Sequence, residues 1–194
     1  MGRYTVVSVD AFDELQLDAG VLLTEFDLEN PYATPANDSI IATTQGGINP
    51  TCKANYSDFG ADVDNVPNDM KEFKHLDGWN AAMAFTSIKF NAANTKLSLG
   101  AADSELLQNG ITVIRPRRDV KQTDFTDGVW WVGDKANGGA YAVHLINALS
   151  TEGLSIQTTK NGKGTMAVTL TGHVSLQNQN QMPMEFYDIP PQSV

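Results

Sequence analysis

The sequence predicts a mainly β chain, a sandwich or barrel with one flanking α-helix and extended arms at both ends. Turn signals are dense: Gly46-Gly47, Asp77-Gly78, Asn109-Gly110, Asp127-Gly128, Asn137-Gly138-Gly139 and Asn161-Gly162 punctuate runs of strand length, the spacing of all-β domains. Several of those runs alternate apolar and polar residues with a period of two, as strands with one buried face do. A single stretch repeats at the helical period. At 194 residues the chain is long enough to bury a core as one domain, 1–194, without staples.

Taken in order, residues 1–16 read as an N-terminal arm. The opening "MGRYTVVSVD" has neither the basic-then-apolar layout of a signal segment nor the Ser or Thr at position 6 of a myristoylation motif. Apolar runs such as Val21 to Leu23 are too short to span a bilayer, so a soluble protein with no membrane partner is expected. Residues 24–45, broken by proline and acidic, read as an extended connection. In "GGINPTCKANYSDF", Ile48, Cys52, Ala54 and Tyr56 oppose Asn49, Thr51, Lys53, Asn55 and Ser57, and Pro50 argues that this strand begins near an edge. In "GWNAAMAFTSIKF", Trp79, Ala81, Met83 and Phe85 share one face; Asn80, Ala82, Ala84 and Thr86 share the other, which is small and uncharged.

Trp130 and Trp131 are adjacent, so on a strand they point to opposite faces. One enters the core and the other needs cover from the helix, an arm or a neighbouring chain. The helical period falls in "GGAYAVHLINALSTEG", where Ala142, Leu145, Ile146 and Leu149 sit at i, i+3, i+4 and i+7 and Gly153 supplies a stop; His144 and Asn147 would face away. Residues 154–176 read as a long hairpin around a type I′ turn at Asn161-Gly162, with Met166, Val168, Leu170, Val174 and Leu176 on its buried face. The C-terminal arm, 177–194, starts with polar low-complexity residues and carries an apolar cluster, Met182 to Tyr187, with no partner nearby in sequence. Arms of this kind suit docking on other subunits.

Charge is lopsided. Residues 1–80 hold 14 Asp and Glu against 4 Lys and Arg, a net of −10, whereas residues 81–194 hold 9 against 9. Such a chain does not grip nucleic acid through phosphate neutralisation, which needs many Lys and Arg contacts. The lone cysteine, Cys52, allows no intrachain disulfide and points to a reducing assembly compartment; its apolar strand position suits an inert buried thiol.

The acidic stretch "YSDFGADVDNVPNDMKEF" invites several chemical readings. Asp58-Phe59-Gly60 matches a kinase magnesium triplet, but the glycine-rich loop, strand lysine and catalytic loop that a kinase needs are missing. An EF-hand counted from Asp58 has Gly60 at position 3 and Val63 at position 6, and fails. An irregular oxygen site at Asp62 and Asp64 remains beside the simpler reading of a solvated acidic loop. Gly162-Lys163-Gly164-Thr165 lacks the spacing of a phosphate loop, His75, His144 and His173 have no zinc-type spacing, and no G-x-S-x-G elbow occurs. His173 reads as a residue on the wet face of its strand. No catalytic set, cofactor site or metal site emerges, so no enzyme is expected.

The order of "ATTQGGINPTCKANYSDFGADVDNVPNDMKEFKHLDGWNAAMAF", "KLSLGAAD" and "VTLTGHVSLQNQNQMPMEFY" resembles the major tail tube proteins of long-tailed bacteriophages, particularly those of Gram-positive hosts, over roughly residues 17–188. The resemblance implies a β-sandwich flanked by a helix. It also implies hexameric rings stacked into a hollow virion tube assembled in the host cytoplasm, through which DNA passes without specific binding. Implied partners are further copies of the chain, a tape measure protein, a tail terminator and a distal tail protein. It further implies that a long loop between early strands, here about 57–76, projects to make contacts within and between rings. Asp58, Phe59, Asp62, Asp64, Val66, Met70 and Phe73 are then interface candidates, as are Phe186 and Tyr187 in the C-terminal arm. The basic cluster Arg115, Arg117, Arg118 and Lys121 is the expected partner of the acidic loop. Asn80, Ala82, Ala84 and Thr86 are the expected lumen face, in a bore that is neutral to negative. A carbohydrate-binding β-sandwich using Trp130 or Trp131 as a sugar platform, and a capsid decoration protein, are the alternative readings.

Overall fold

A computed structural model describes Tyr4 and residues 6–192; the ends of both expected arms, residues 1–3, 5 and 193–194, lie outside the described residues. The chain runs β1 (Val21–Leu23), β2 (Ile40–Ala42), β3 (Thr44–Asp58), β4 (Lys74–Ser87), α1 (Ala92–Leu99), β5 (Ala102–Leu106), β6 (Thr112–Pro116), β7 (Thr126–Asp134), β8 (Ala140–Ser150), β9 (Ser155–Gln157), β10 (Thr165–Thr171) and β11 (Met184–Ile189). The main sheet has the order β2-β1-β7-β8-β10-β4-β3, with β11 added to β8 and β9 to β10, while β5 and β6 form a separate ribbon. The fold is mainly β, as the turn spacing predicts.

Strand β8 organises the rest. One of its edges pairs with β7 from Ala140 to Ala148. The other is divided, β11 taking Ala140–Leu145 and β10 taking Leu149 and Ser150. The halves of the sheet on either side of this handover face each other. Leu22, Val129, Trp131, Val143 and Leu145 meet Met83, Phe85, Met166, Val168 and Leu170 in one apolar cluster. Each such fully buried side chain contributes about 1.5–3 kcal/mol. A second cluster lies on the outer face of the β7–β8 half, where Leu23, Trp130, Ala140, Ala142 and Ile189 are covered by Phe26 and Tyr187. The adjacent tryptophans therefore do point into opposite clusters, and the cover for Trp130 comes from the chain's own 24–39 connection and its C-terminal strand.

The helix expected in "GGAYAVHLINALSTEG" is strand β8. Its apolar residues at i, i+3, i+4 and i+7 arise because both faces are buried and because the strand kinks at Asn147, whose φ is 46°. Val143 and Leu145 point into the inner cluster; past the kink Ala148 does so too, out of phase with a regular strand. Asn147 is held there by its Nδ2 donating to the His173 carbonyl at 2.9 Å.

The helix lies instead at Ala92–Leu99, a segment whose polar composition hides it. Asn91 caps it by accepting from the Asn94 N–H at 2.7 Å, and Gly100, at φ 70°, closes it by donating to the Lys96 carbonyl. Its buried positions are Asn94 and Ser98, one turn apart, so the face against the sheet carries amide and hydroxyl groups rather than an apolar stripe. Asn94 Nδ2 donates to the Lys89 carbonyl at 3.1 Å and Ser150 Oγ donates to the Ser98 carbonyl at 2.7 Å.

Other expectations shift. The hairpin at 154–176 has short strands, β9 and β10, and Gly162 is not among the residues with positive φ, so the turn is not type I′. It closes at residues 159–162 through Gly162 N–H to Thr159 O. The chain leaves the sheet after Thr171, which leaves Val174 and Leu176 exposed rather than buried. His173 is half-buried rather than wet, with its Nδ1 3.2 Å from the Asn147 carbonyl oxygen. The 24–45 connection contains β2 and the start of β3. The apolar cluster of the C-terminal arm becomes β11 and docks on β8 of its own chain. Residues 13–17 run back along the β7–β8 turn, with Leu17 N–H donating to Asp134 O at 2.7 Å.

Replacing Asn147 with Val forces a β-branched residue into the left-handed region and removes the bond to His173. We expect a loss of about 1–3 kcal/mol in unfolding free energy, measured by urea denaturation.

Candidate assembly surfaces

The hairpin of β3 and β4 outgrows the sheet that supports it. β10 pairs with β4 between Ala82 and Ser87, and Gly172 N–H donates to the Ala81 carbonyl at 3.0 Å, so from Lys74 to Asn80 β4 is paired with β3 alone. At about 3.4 Å per residue this ribbon extends on the order of 25 Å, and the expected projecting loop sits at its end. Such a two-stranded ribbon is marginal in water by itself, and a local clasp orders its tip. Asp58 Oδ1 accepts from the Gly60 N–H at 2.9 Å, in an Asx turn, and Oδ2 accepts from the Asp69 N–H at 3.1 Å. Lys74 Nζ lies 3.3 Å from Asp58 Oδ2 and also pairs with Asp69. The Gly60 N–H, helped by Lys74 and the Asp69 N–H, holds the Asp58 carboxyl below the usual carboxylate range. Asp69 above all, then Asp58, pushes the Lys74 ammonium up.

The tip therefore uses Asp58 internally and presents other groups. Asp62 and Asp64 are exposed, and Asp62 has φ 61°. Phe59 is 67% exposed and stacks on His75 at 5.2 Å. Phe73 packs against Gly60. Val66 and Met70 are half-buried. Among the described residues, no group of three or more His, Cys, Asp or Glu side chains comes together to hold a metal ion.

The basic cluster is divided by its surroundings. Arg117 is only 11% exposed and belongs to its own chain: it pairs with Asp124, approaches Asp103 at 2.9 Å and reaches the Asp119 carbonyl at 3.1 Å. Asp124 is buried, and its carboxyl is lowered first by the Lys121 N–H and then by Arg117. Arg117 thus ties the β5–β6 ribbon to the connection before β7. Arg115 pairs with Glu105 across that ribbon, and Lys121 lies 3.5 Å from Asp103. Arg118 is exposed and makes no ion pair among the described residues. Of the expected cluster, it is the cation still available to an acidic partner.

The expected small face of β4 exists. Ala81, Met83 and Phe85 are buried, while Asn80, Ala82, Ala84 and Thr86 face outward. Their cross-strand neighbours extend that face, with Thr51 beside Ala82, Lys53 beside Asn80 and Thr169 beside Ala84. No carboxylate stands among these residues, and Lys53 is their one charge, so the face is neutral to faintly positive. At its border, β3 is the end strand of the sheet. Its 15 residues leave a long row of backbone groups unpaired on the outer side. Pro50 sits inside the ladder opposite Met83, so the N–H it lacks is one that would point away from β4.

The C-terminal candidates part company. Phe186 is 52% exposed, while Tyr187 packs on Trp130 with ring centroids 5.3 Å apart. Around Trp130 stands a group that sequence reading does not assemble. His144 lies flat on the indole at 4.0 Å, with Glu185 3.6 Å from its Nδ1 and the Tyr187 hydroxyl donating to Glu185 at 2.5 Å. Gly128 makes this possible, since a Cβ there would stand 2.1 Å from His144 Nε2. Burial pushes His144 down, and burial followed by the Glu185 bond pushes Tyr187 up to about 12. Glu185 is held low, first by the Tyr187 hydroxyl.

No protein-family model matches the chain, and no curated protein matches it. Among solved structures the chain is similar to one described as "Virion of native gene transfer agent (GTA) particle", at 9% identity and a TM-score of 0.41, over 87% of this chain and 95% of that one. A likeness at that level assigns no function. No helix among the described residues is long and apolar enough to cross a membrane.

Asp58→Asn removes the charge that gathers the tip. The Gly60 and Asp69 amide resonances should move toward random-coil positions while the core amides stay in place. Because the Asp58 carboxyl is depressed by folding, the clasp is fully present above about pH 4 and is lost as the pH falls further; a titration of the same amides reads this out. Arg117→Ala leaves Asp124 buried without its cation, so it should lower the thermal midpoint clearly, whereas Arg118→Ala should leave the midpoint unchanged.

Proposed function

We propose that this chain is a structural, non-catalytic virion protein, and that identical copies join edge to edge into hexameric rings that stack into a phage tail tube for DNA passage. The observation that carries this reading is the free edge of β3 beside a face of small, nearly uncharged residues. A long unpaired edge is a liability that monomeric proteins blunt or cover. When sheets from neighbouring copies close into a ring, the edges are satisfied and the small face lines the bore. A wall of Asn, Thr and Ala offers phosphates few cations to hold them, and Lys53 is its one basic site. The projecting hairpin supports the same reading: its tip is ordered internally by Asp58, Asp69 and Lys74, yet Phe59 and Val63 remain exposed and need cover. In such a tube, a tape measure protein, a tail terminator and a distal tail protein are the further partners, and assembly takes place in the host cytoplasm before incorporation into the virion.

The carbohydrate-binding alternative has less support. Trp130 and Trp131 are 8% and 9% exposed, so neither offers a sugar platform.

Electron microscopy of the purified full chain over a range of concentration and salt tests the proposal, with rings and hollow tubes as the expected products. Ala54→Pro adds a second outward gap to the β3 edge while leaving its ladder with β4 intact, so it should yield a folded protein, by circular dichroism, that forms no rings. Trimers would favour a capsid decoration role. A monomer at every concentration, or an Ala54→Pro variant that still builds tubes, would defeat the edge-joining model.

A further inference from the structure

The group around Trp130 is more than packing, because it joins one titratable side chain to a strand that can leave. β11 is the last strand of the described chain and pairs with β8 alone. It brings two carboxylates, and each faces a basic group on the β7–β8 hairpin: Asp188 pairs with Lys135, and Glu185 faces His144. The exposed residues 176–180 give β11 slack between it and β10, and its inner contact with the core is Met184, which departure of the strand would uncover.

We propose that β11 is a strap that protonation of His144 loosens, uncovering Trp130 and the edge of β8 from Ala140 to Leu145. The neutral ring suits its position. One face stacks on the indole and Nε2 lies against Gly128. A charged imidazolium has two donors to satisfy, and only the Nδ1 side has a facing anion, Glu185. Glu185 is already engaged by the Tyr187 hydroxyl. The groups packed on His144 are thus Trp130 and Gly128 from β7 and Glu185 and Tyr187 from β11; Glu185 is the one anion among them. Burial lowers the proton affinity of the docked ring, whereas a His144 freed by departure of β11 titrates near pH 6.5. A group whose affinity for protons is lower when docked disfavours docking as the pH falls below its free value. Glu185, held low, stays ionised between pH 7 and 5 and Tyr187, pushed up to about 12, stays neutral, so His144 is the group around Trp130 that changes.

Hydrogen–deuterium exchange of the full chain at pH 7 and pH 5 tests the proposal, with protection factors corrected for the intrinsic pH dependence of exchange. Protection of the Met184–Ile189 amides should fall at pH 5 by up to about thirtyfold, the limit set by free histidine titrating near 6.5. Protection of Met166–Leu170 in β10 should be unchanged. His144→Gln should remove the difference between the two pH values, and His144→Phe, which keeps a flat ring on Trp130, should do so with β11 still docked. Equal protection of β11 at both pH values in the unaltered chain, an equal loss in β10, or a difference that survives in both variants would overturn it.

Discussion

The structure depends on the divided edge of β8. A strand has two edges, and here one of them serves two partners in succession, β11 before the kink at Asn147 and β10 after it. That division turns one sheet into two facing layers and creates the inner cluster between them. It also explains why β8 is apolar on both sides. Its inner face meets β4 and β10 across the core, and its outer face, with Trp130 of β7, forms the second cluster under Phe26 and Tyr187. Asn147 and His173 hold the point of division, with the Asn147 side chain on the His173 carbonyl and the His173 ring on the Asn147 carbonyl.

Sequence reading found elements where burial is one-sided. β4 shows its alternation because one face is core and the other is open, and Pro50 reveals that β3 is an end strand. The same reasoning failed at β8, because burial on both faces removes the period-two signal and the kink at Asn147 then mimics the helical one. It missed α1 because Asn94 and Ser98 fill the buried positions, so that helix has no apolar stripe to detect. It extended the β9–β10 hairpin too far because the alternation continues through Val174 and Leu176 after the pairing has ended.

The candidate surfaces were legible to the same uneven degree. The acidic loop is readable as a loop from composition, and the Asp-x-Gly spacing at Asp58 is a local turn signal. The partition of labour within it is not readable, because Asp69 and Lys74 reach Asp58 only through the fold. Arg117 and Arg118 are neighbours in sequence and look alike there, yet one is enclosed by three carboxylates and the other is open to solvent. Backbone direction decides that difference. The stack of His144 on Trp130 had no signal beyond Gly128, whose missing side chain makes the space.

Pro50 has a consequence for what can bind beside β3. A second strand laid along this border finds a regular series of hydrogen-bond donors interrupted at one fixed place. Strands that slide past one another each lose a bond at a different position, so a partner is favoured in the alignment that sets its own gap or side chain against the proline. Endless cross-β stacking of identical segments, which demands an unbroken series, is penalised at every layer. A single imino acid thus lets the border remain sticky toward a matched neighbour while resisting fibre growth.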